Sequence, residues 1–502
     1  MEQLNNPFAA PSRQSRIAIG IILIKFIRTT IRAFWPILLS LFIGRKTGNS
    51  FEDYIGYVAL AFAAINLGGS ILTYFRFYFH IDENSIVIDK GVLKRSKTNI
   101  PFERIQTINF KQNILHQFFG VVSIEIDTAG AKKSEMTIDA LDKEQAMAFR
   151  DFVMKEKAEQ AEDQTDEQVA VETAEANSEL IMKLSVSDLF KVGVSQNHLR
   201  SMGILFAFVF TTLNELTDNI EEMVFEELSG YEEQILNNTW VLIGATMLLV
   251  AIIAFLYSLI STVLKNYDLH LSLQKNGLKL VKGLLNREEI SINKKKVQVI
   301  SWSENPIRRM FNMWTLGLEQ ASSEDASQLK SKIDVPGAYM QQVEKVITSI
   351  FPAEFFRPEE QHAVSKLLMF RIILFLGVFP ALIAGAILFY HFQIQALYVL
   401  IWPLVVGILS NLYYHKRSFE LNEELLKNNR GTLGHIYELT QIHKIQAVEI
   451  RQSWYQRRKA LANVKLYTAA GSLSIPFIPL EKAMALEKFV LYRVETDKRE
   501  WM

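Results

Sequence analysis

Gly91-Val92-Leu93-Lys94-Arg95-Ser96-Lys97-Thr98-Asn99-Ile100-Pro101-Phe102-Glu103-Arg104-Ile105-Gln106 is a stretch whose outline the chain uses three times. It recurs from Gly283-Leu284-Leu285 to Lys296-Val297-Gln298 and from Gly431-Thr432-Leu433 to Lys444-Ile445-Gln446, with fifteen residues from Gly to Gln in each copy. Eighteen residues past each Gln stands an aliphatic residue in strand-like context: Ile124, Leu316 and Val464. A register kept for over thirty residues without a gap marks a repeated structural unit.

The chain has 502 residues, enough for three or more domains. Lys plus Arg equals Asp plus Glu at 54 each, so no global charge argues for a nucleic-acid partner. The lack of cysteine excludes disulfides, thiolate metal sites and a Cys nucleophile. Hydrophobic residues make up 49%, with 33 Phe, and they gather in blocks long enough to cross a bilayer.

Six crossings are expected. The first runs from about Ile24 to Gly44, with Lys25, Arg28 and Arg32 on one helical face, where their long stems can reach the inner headgroups. The others are Tyr54–Tyr78, Leu199–Leu216, Thr239–Leu264, Leu367–Tyr390 and Ala396–Tyr414. Pro36, Pro380 and Pro403 predict kinks inside them. The crossings pair as three hairpins, each leading into one copy of the repeat. No Lys or Arg lies between Arg200 and Lys265, and the connection Thr211–Asn238 is rich in Glu, so that loop is expected outside. Arg76, Lys265, Lys366, Arg371, Lys416 and Arg417 flank the hairpins on the repeat side. The repeats and both termini are therefore expected in the cytoplasm.

Each repeat reads as an α+β module. Alternating runs such as Ser85–Asp89, Lys94–Ile100 and Val121–Asp127 predict antiparallel strands, and the repeat glycine supplies the positive φ of a tight turn. Closing helices are expected near Asp142–Lys157, Ala338–Ile350 and Leu480–Val494, the second after a break at Pro336-Gly337. Lys155–Lys183, with nine acidic residues and no aromatic, reads as a solvated linker or extended helix. The expected order is a tail and hairpin over 1–79, a module over 80–157 and the acidic linker over 158–198. A hairpin over 199–264, a module over 265–352, a hairpin over 366–414 and a module over 415–495 complete it.

This plan resembles the bacterial pleckstrin-homology-like membrane proteins of the large, three-module YdbT-like type. The hairpin exits (Phe75–Phe79, Tyr267, Tyr413-Tyr414), the repeat Gly and the Arg/Lys-Ile/Val-Gln triplet carry the likeness. So does a polar pair after each triplet: Gln112-Asn113, Glu304-Asn305 and Gln452-Ser453. The third copy has Ser453 for Asn and Ala460 where the first has Gly120, so its loop is expected to differ in shape. The resemblance implies small antiparallel β-sandwiches, each closed by a C-terminal helix, on six membrane helices in the bacterial plasma membrane. It also implies no cofactor or catalytic residues, a one-module relative as protein partner, and a link to tolerance of membrane-active peptides.

Lys94-Arg95-Lys97, Lys294-Lys295-Lys296, Arg308-Arg309 and Arg457-Arg458-Lys459 are candidate contacts to anionic lipid or a partner, though the plainer reading is solvated turn residues or part of the topology signal. The face Lys25/Arg28/Arg32 is a further candidate, for a lipid headgroup or transported anion, with interfacial anchoring the plainer reading. Gln106, Gln298 and Gln446 could touch a ligand, but repeated amides at one strand position fit a backbone role at an edge or bulge. His435 and His443 lack metal-ligand spacing, and no P-loop, dinucleotide fingerprint or nucleophile elbow is present. The expected function is a non-enzymatic scaffold that holds a protein partner beside lipid. A lipid or peptide transporter or scramblase is the alternative.

Overall fold

The computed structural model describes residues 7–24, 27–30, 64, 67–69, 71–82, 84–91, 95–128, 136–162, 178–196, 203, 207, 239–275, 277–321, 332–351, 361–497 and 499. Most of the first two expected crossings, nearly all of the third, and the acidic loop Thr211–Asn238 lie outside these residues. Among the described residues three helices are long and apolar enough to cross a membrane: Met247–Asn266, Leu367–Tyr390 and Leu397–His415.

Each module is two antiparallel half-sheets joined by a single 3₁₀ turn. Module one has β1 (Tyr78–Asp82), β2 (Ser85–Lys90) and β3 (Ser96–Pro101), the turn Phe102–Arg104, then β4 (Ile105–Gln112), β5 (Val121–Thr128) and β6 (Met136–Asp142). Its closing helix is Lys143–Glu162. Module two has β7 (Glu179–Lys183), β8 (His270–Gln274), β9 (Gly277–Lys282) and β10 (Arg287–Asn293) before its turn. After it come β11 (Val297–Glu304), β12 (Trp314–Gln320), β13 (Lys332–Ala338) and the helix Met340–Ile350. Module three repeats this with β14 (Gln361–Ala363), β15 (Ser418–Leu421), β16 (Leu425–Arg430) and β17 (His435–Gln441), then β18 (Ile445–Arg451), β19 (Leu461–Thr468), β20 (Gly471–Pro479) and the helix Leu480–Thr496. Pro336-Gly337 falls inside β13, and the following helix starts at Met340. The stretch 158–198 is not linker throughout, because β7 and the capped helix Val186–Val194 occupy its end.

The chain forms two compact units, and their boundary falls inside module two. The first holds the described residues of Met1–Glu179 with Ser272–Asn293; the second holds those of Leu180–Leu271, Lys294–Ser322 and Ala326–Met502. In the first unit the strand order includes β6-β5-β4-β10-β9, so the second half-sheet of module one continues into strands of module two. Arg287, Glu288 and Glu289 pair with Gln112, Lys111 and Phe110. Ser291 N–H donates to Asn109 Oδ1 at 3.0 Å, and Glu289 accepts ion pairs from Lys279 at 2.7 Å and Arg150 at 3.2 Å. A core of Phe77, Phe79, Ile81, Ile86, Ile88, Ile100 and Phe102 against Ile124, Ile138 and Phe149 fills module one.

The second unit repeats the device. Its seven-stranded sheet runs β13-β12-β11-β17-β16-β15-β14, with Val299–Glu304 paired to Thr440–His435. Trp302 stacks on Tyr437 at 5.3 Å, and Gly434 lets the strands close, since a Cβ there would meet the Glu304 carbonyl oxygen. The three strands β18-β19-β20 and the helix Leu480–Thr496 enclose Val464, Leu466, Ile475, Phe477, Leu486 and Val490.

In each module an extended segment ahead of the hydrophobic stretch pairs with backbone that follows the stretch. Ser12 and Phe79 exchange backbone hydrogen bonds at 2.8 and 2.9 Å, Leu184 N–H donates to Leu269 O at 2.9 Å, and Ala363 pairs with Ser418. The third hairpin, and the hydrophobic stretches at the corresponding places of the first two modules, are thus inserted within the modules. In the third hairpin a π-helical turn, Ile373–Val378, precedes Pro380. The carbonyl that Pro380 cannot address, Leu376 O, accepts the Trp402 indole N–H at 2.7 Å, while Pro403 sits in the first turn of Ile401–His415, where no donor is required.

All three repeat glycines have positive φ: 118° at Gly91, 101° at Gly283 and 143° at Gly431. A Cβ at Gly283 would also meet Asn286 O, whereas one at Gly120 (φ 68°) would have nothing within 4 Å. Gly283→Ala is therefore expected to lower stability by about 2 kcal/mol or more, and Gly120→Ala by about 1 kcal/mol. Thermal unfolding of the detergent-solubilised full chain checks the ranking; equal losses would contradict it.

Candidate functional site

The sequence-selected residues separate in space. Gln106, Gln298 and Gln446 are each the extra residue of a bulge, between Ile105 and Thr107, Val297 and Val299, and Ile445 and Ala447. Their side chains have unlike surroundings, since Gln106 is half-buried, Gln298 buried and Gln446 exposed. The bulge is what repeats, and it bends the first strand of each second half-sheet. Lys294, Lys295 and Lys296 form the 3₁₀ turn of module two, with Lys296 buried. Arg28 is exposed; Lys25 and Arg32 lie outside the described residues.

The polar pairs cap a short helix in every copy: Ile114–Phe118, Pro306–Met310 and Trp454–Arg458. Asn113 and Asn305 accept the backbone N–H of His116 and Arg308, and Ser453 exchanges hydrogen bonds with Gln456. Gly120, Asn312 and Ala460 then end the helix at φ 68°, 54° and 49°. The third loop therefore keeps the shape of the others, because a hydroxyl caps as an amide does and the fold holds Ala460 in the left-handed region. Each short helix lies beside helical residues that flank the hydrophobic stretch of its module. Leu115 packs with Ile21 and Tyr74, Arg308 Nε donates to Ser195 Oγ at 3.2 Å, and Tyr455 packs in the cluster holding Leu367 and Ile372. Phe118, Met310 and Trp454 are 81%, 79% and 70% exposed there. Arg309, Arg457 and Arg458 are exposed beside them, with Arg458 over Trp454 at 4.0 Å.

Between the third hairpin and the sheets of module three lies a cavity of about 1110 Å³. Leu376, Pro380, Trp402, Val406 and Leu409 from the hairpin line one side. Arg417, Arg430, Arg451 and Lys465 of the module line the other, Arg371 adds a cation from the module end of the hairpin, and Glu438 is the one acid. Glu438 is taken up by Arg430 and Asn428 at 2.9 and 2.7 Å, and Arg451 pairs with Glu449. Arg417 is 4% exposed and donates from Nη2 to Ser474 O, while its Nε and Nη1 have no hydrogen-bond partner. Burial pulls the Arg417 guanidinium below its ordinary pKa. Its neighbour Lys416, by contrast, donates to Thr432 O, Leu433 O and Gly434 O at 2.9, 3.0 and 3.1 Å.

The repeat register shows what is unusual here. Fourteen residues before the repeat glycine stand Phe77, Leu269 and Arg417; three before it stand Ile88, Leu280 and Asn428. Seven after it stand Thr98, Ile290 and Glu438. Phe77, Ile88, Leu269 and Leu280 are buried, so module three carries polar groups at core positions. Sequence reading took Arg417 only as a topology signal and missed Asn428 as a site residue. The signal was present: one copy is polar where the other two are apolar.

Glu424, His443 and Asp497 place ligand atoms within 4.8 Å of one another, the spacing of a metal site. Arg499 already donates to both carboxylates, so the group is an ion cluster with its cation supplied by the chain. Lys444, next to His443, donates to Lys295 O and Val297 O at 3.0 and 2.6 Å, and burial pushes its pKa down to about 8.

Two antiparallel half-sheets closed by a helix, with a hydrophobic hairpin set into the fold, define a membrane protein built from PH-like modules. The bacterial PH domain family matches residues 21–157, 225–353 and 371–494, and the chain belongs to it. Over 474 residues it is 22% identical to the UPF0699 transmembrane protein YdbT of Bacillus subtilis (strain 168), covering 92% of each chain.

Burial, and then the Arg499 charge, push the His443 pKa from 6.5 down to about 4. Between those values the unfolded chain takes up a proton that the folded chain refuses, so stability falls as pH drops from about 6.5 to 4. His443→Gln should shrink the difference in melting temperature between pH 7 and pH 4.5. An unchanged acid loss in the variant would place its origin elsewhere.

Proposed function

We infer that this protein is a non-enzymatic platform in the bacterial plasma membrane, with six crossings in three hairpins and its modules and both termini on the cytoplasmic side. Its partner is a one-module PH-like membrane protein that joins the row by strand pairing. The observation carrying this reading is a pair of open edges. In modules one and two, β4 and β11 take a strand of the next module on their outer side. Their counterpart β18 ends its sheet among the described residues, as does β3, the counterpart of β10 and β17. An edge of this kind invites strand addition, with backbone hydrogen bonds supplying affinity. Three modules on one membrane base raise the effective concentration of every further contact. The short helices, with exposed Phe118, Met310 and Trp454, support a seat at the inner leaflet, where aromatic and cationic side chains are favoured. Tolerance of membrane-active cationic peptides would follow from attraction to the acidic loop Thr211–Asn238, at low salt above all.

A lipid or peptide transporter or scramblase is the second reading. The π-helical turn beside Pro380, next to the cavity, favours it, since broken spanning helices accompany transport sites. Reconstituted into liposomes, the platform moves no fluorescent lipid or peptide; clear movement of either would reverse the order of the two readings. For the platform itself, a photocrosslinking residue at Val448 in β18 should capture a one-module PH-like chain in native membranes, while one at Ser301 in the closed seam should capture none. Adducts lacking any PH-like chain, or none at all, would overturn it.

A further inference from the structure

We propose that the cavity beneath the third hairpin binds an anionic phospholipid drawn from the surrounding leaflet, with its phosphate on Arg417 and its acyl chains along the hairpin wall. The inference goes beyond the platform reading and needs no protein partner. Its first support is Arg417 itself. A guanidinium this deeply buried, with Nε and Nη1 lacking hydrogen-bond partners and only the field of Glu438, itself bound by Arg430 and Asn428, to offset it, leaves a charge incompletely compensated at considerable cost unless a further anion arrives. Neither Phe77 nor Leu269, at the same register position, creates such a demand. Fold closure in modules one and two therefore has no need of an arginine there.

The second support is the distribution of charge. With Glu438 held by Arg430 and Asn428, and Arg451 paired to Glu449, the cavity keeps Arg371, Arg417 and Lys465 as cations with no ion pair among the described residues, so its field favours an anion. Arg371 lies over the Phe477 ring at 5.5 Å and Lys465 over Tyr467 at 4.7 Å, contacts that orient them without neutralising them. The third support is the opposite wall. Leu376, Pro380, Trp402 and Val406 belong to helices long and apolar enough to span a bilayer, and Arg371 sits at the module end of the first of them, so the cavity is cationic towards the module and apolar further along the hairpin. A soluble phosphate would leave that wall wet; a lipid satisfies both halves.

The test uses the full chain in detergent, with dioleoylphosphatidylglycerol, dioleoylphosphatidylcholine or inorganic phosphate as probes. Native mass spectrometry should show phosphatidylglycerol retained in preference to phosphatidylcholine, and only phosphatidylglycerol should raise the melting temperature. Arg417→Leu should weaken retention at least about tenfold, the loss of a charge-assisted hydrogen bond. The same variant should keep or raise the melting temperature without lipid, because leucine is what module two carries there; a structural arginine would instead lower it. Arg371→Gln, at an exposed position, gives a second variant, expected to weaken retention by a smaller factor. Equal retention by the wild type and both variants, equal retention of the two lipids, or a response to inorganic phosphate as large as that to lipid would overturn the proposal.

Discussion

Backbone hydrogen bonding between neighbouring modules is the constraint on which this architecture rests. A half-sheet of three strands has two edges, and an unpaired edge is a standing invitation to wrong partners. Here β4 meets β10 and β11 meets β17 in antiparallel register, so the edge of one module is used up by the next. Side chains lock the register from both sides, through Asn109 and Glu289 in one seam and through Trp302, Tyr437 and Thr440 in the other. The compact units accordingly do not follow the repeats. The boundary falls between Asn293 and Lys294, in the middle of a copy, because strand pairing across copies outweighs the one-turn link within it.

Much of this was legible in the residues. The glycine that starts each copy was read as a turn with positive φ, and all three have it. The fourth, fifth and sixth hydrophobic blocks lie within a few residues of the helical segments Thr239–Asn266, Leu367–Tyr390 and Leu397–His415. What escaped were features without a periodic signal. Gln361–Ala363 is three residues long, and its strand character depends wholly on Ser418–Glu420 across from it. The joining of modules was equally invisible, since a strand that pairs with its own module reads like one that pairs with another. The third loop was misjudged because Ser453 and Ala460 change the letters while caps and backbone geometry persist.

The third module also shows what a repeat can give up. Module one fills its sandwich with Phe77, Ile88 and their neighbours, and stability follows from that burial. Module three has Arg417 and Asn428 at those positions and keeps its apolar packing on the β18-β19-β20 side and around Phe419 and Leu426. It forgoes part of a core and gains a chamber that borders the hairpin. Divergence among the copies therefore locates chemistry more directly than any motif does.

Because a long, largely hydrophobic stretch separates two strands that pair with each other in every module, the order of synthesis matters. Ser12, Leu184 and Ala363 leave the ribosome well before the partners Phe79, Leu269 and Ser418 that complete their ladders. A nascent module cannot close its sheet until the whole stretch between the two paired strands has been made. Lateral joining then adds a second dependence, for β4 waits with an exposed edge until β10 has been translated. Completion of each sheet is thereby delayed until the long stretch between its two paired strands has been made.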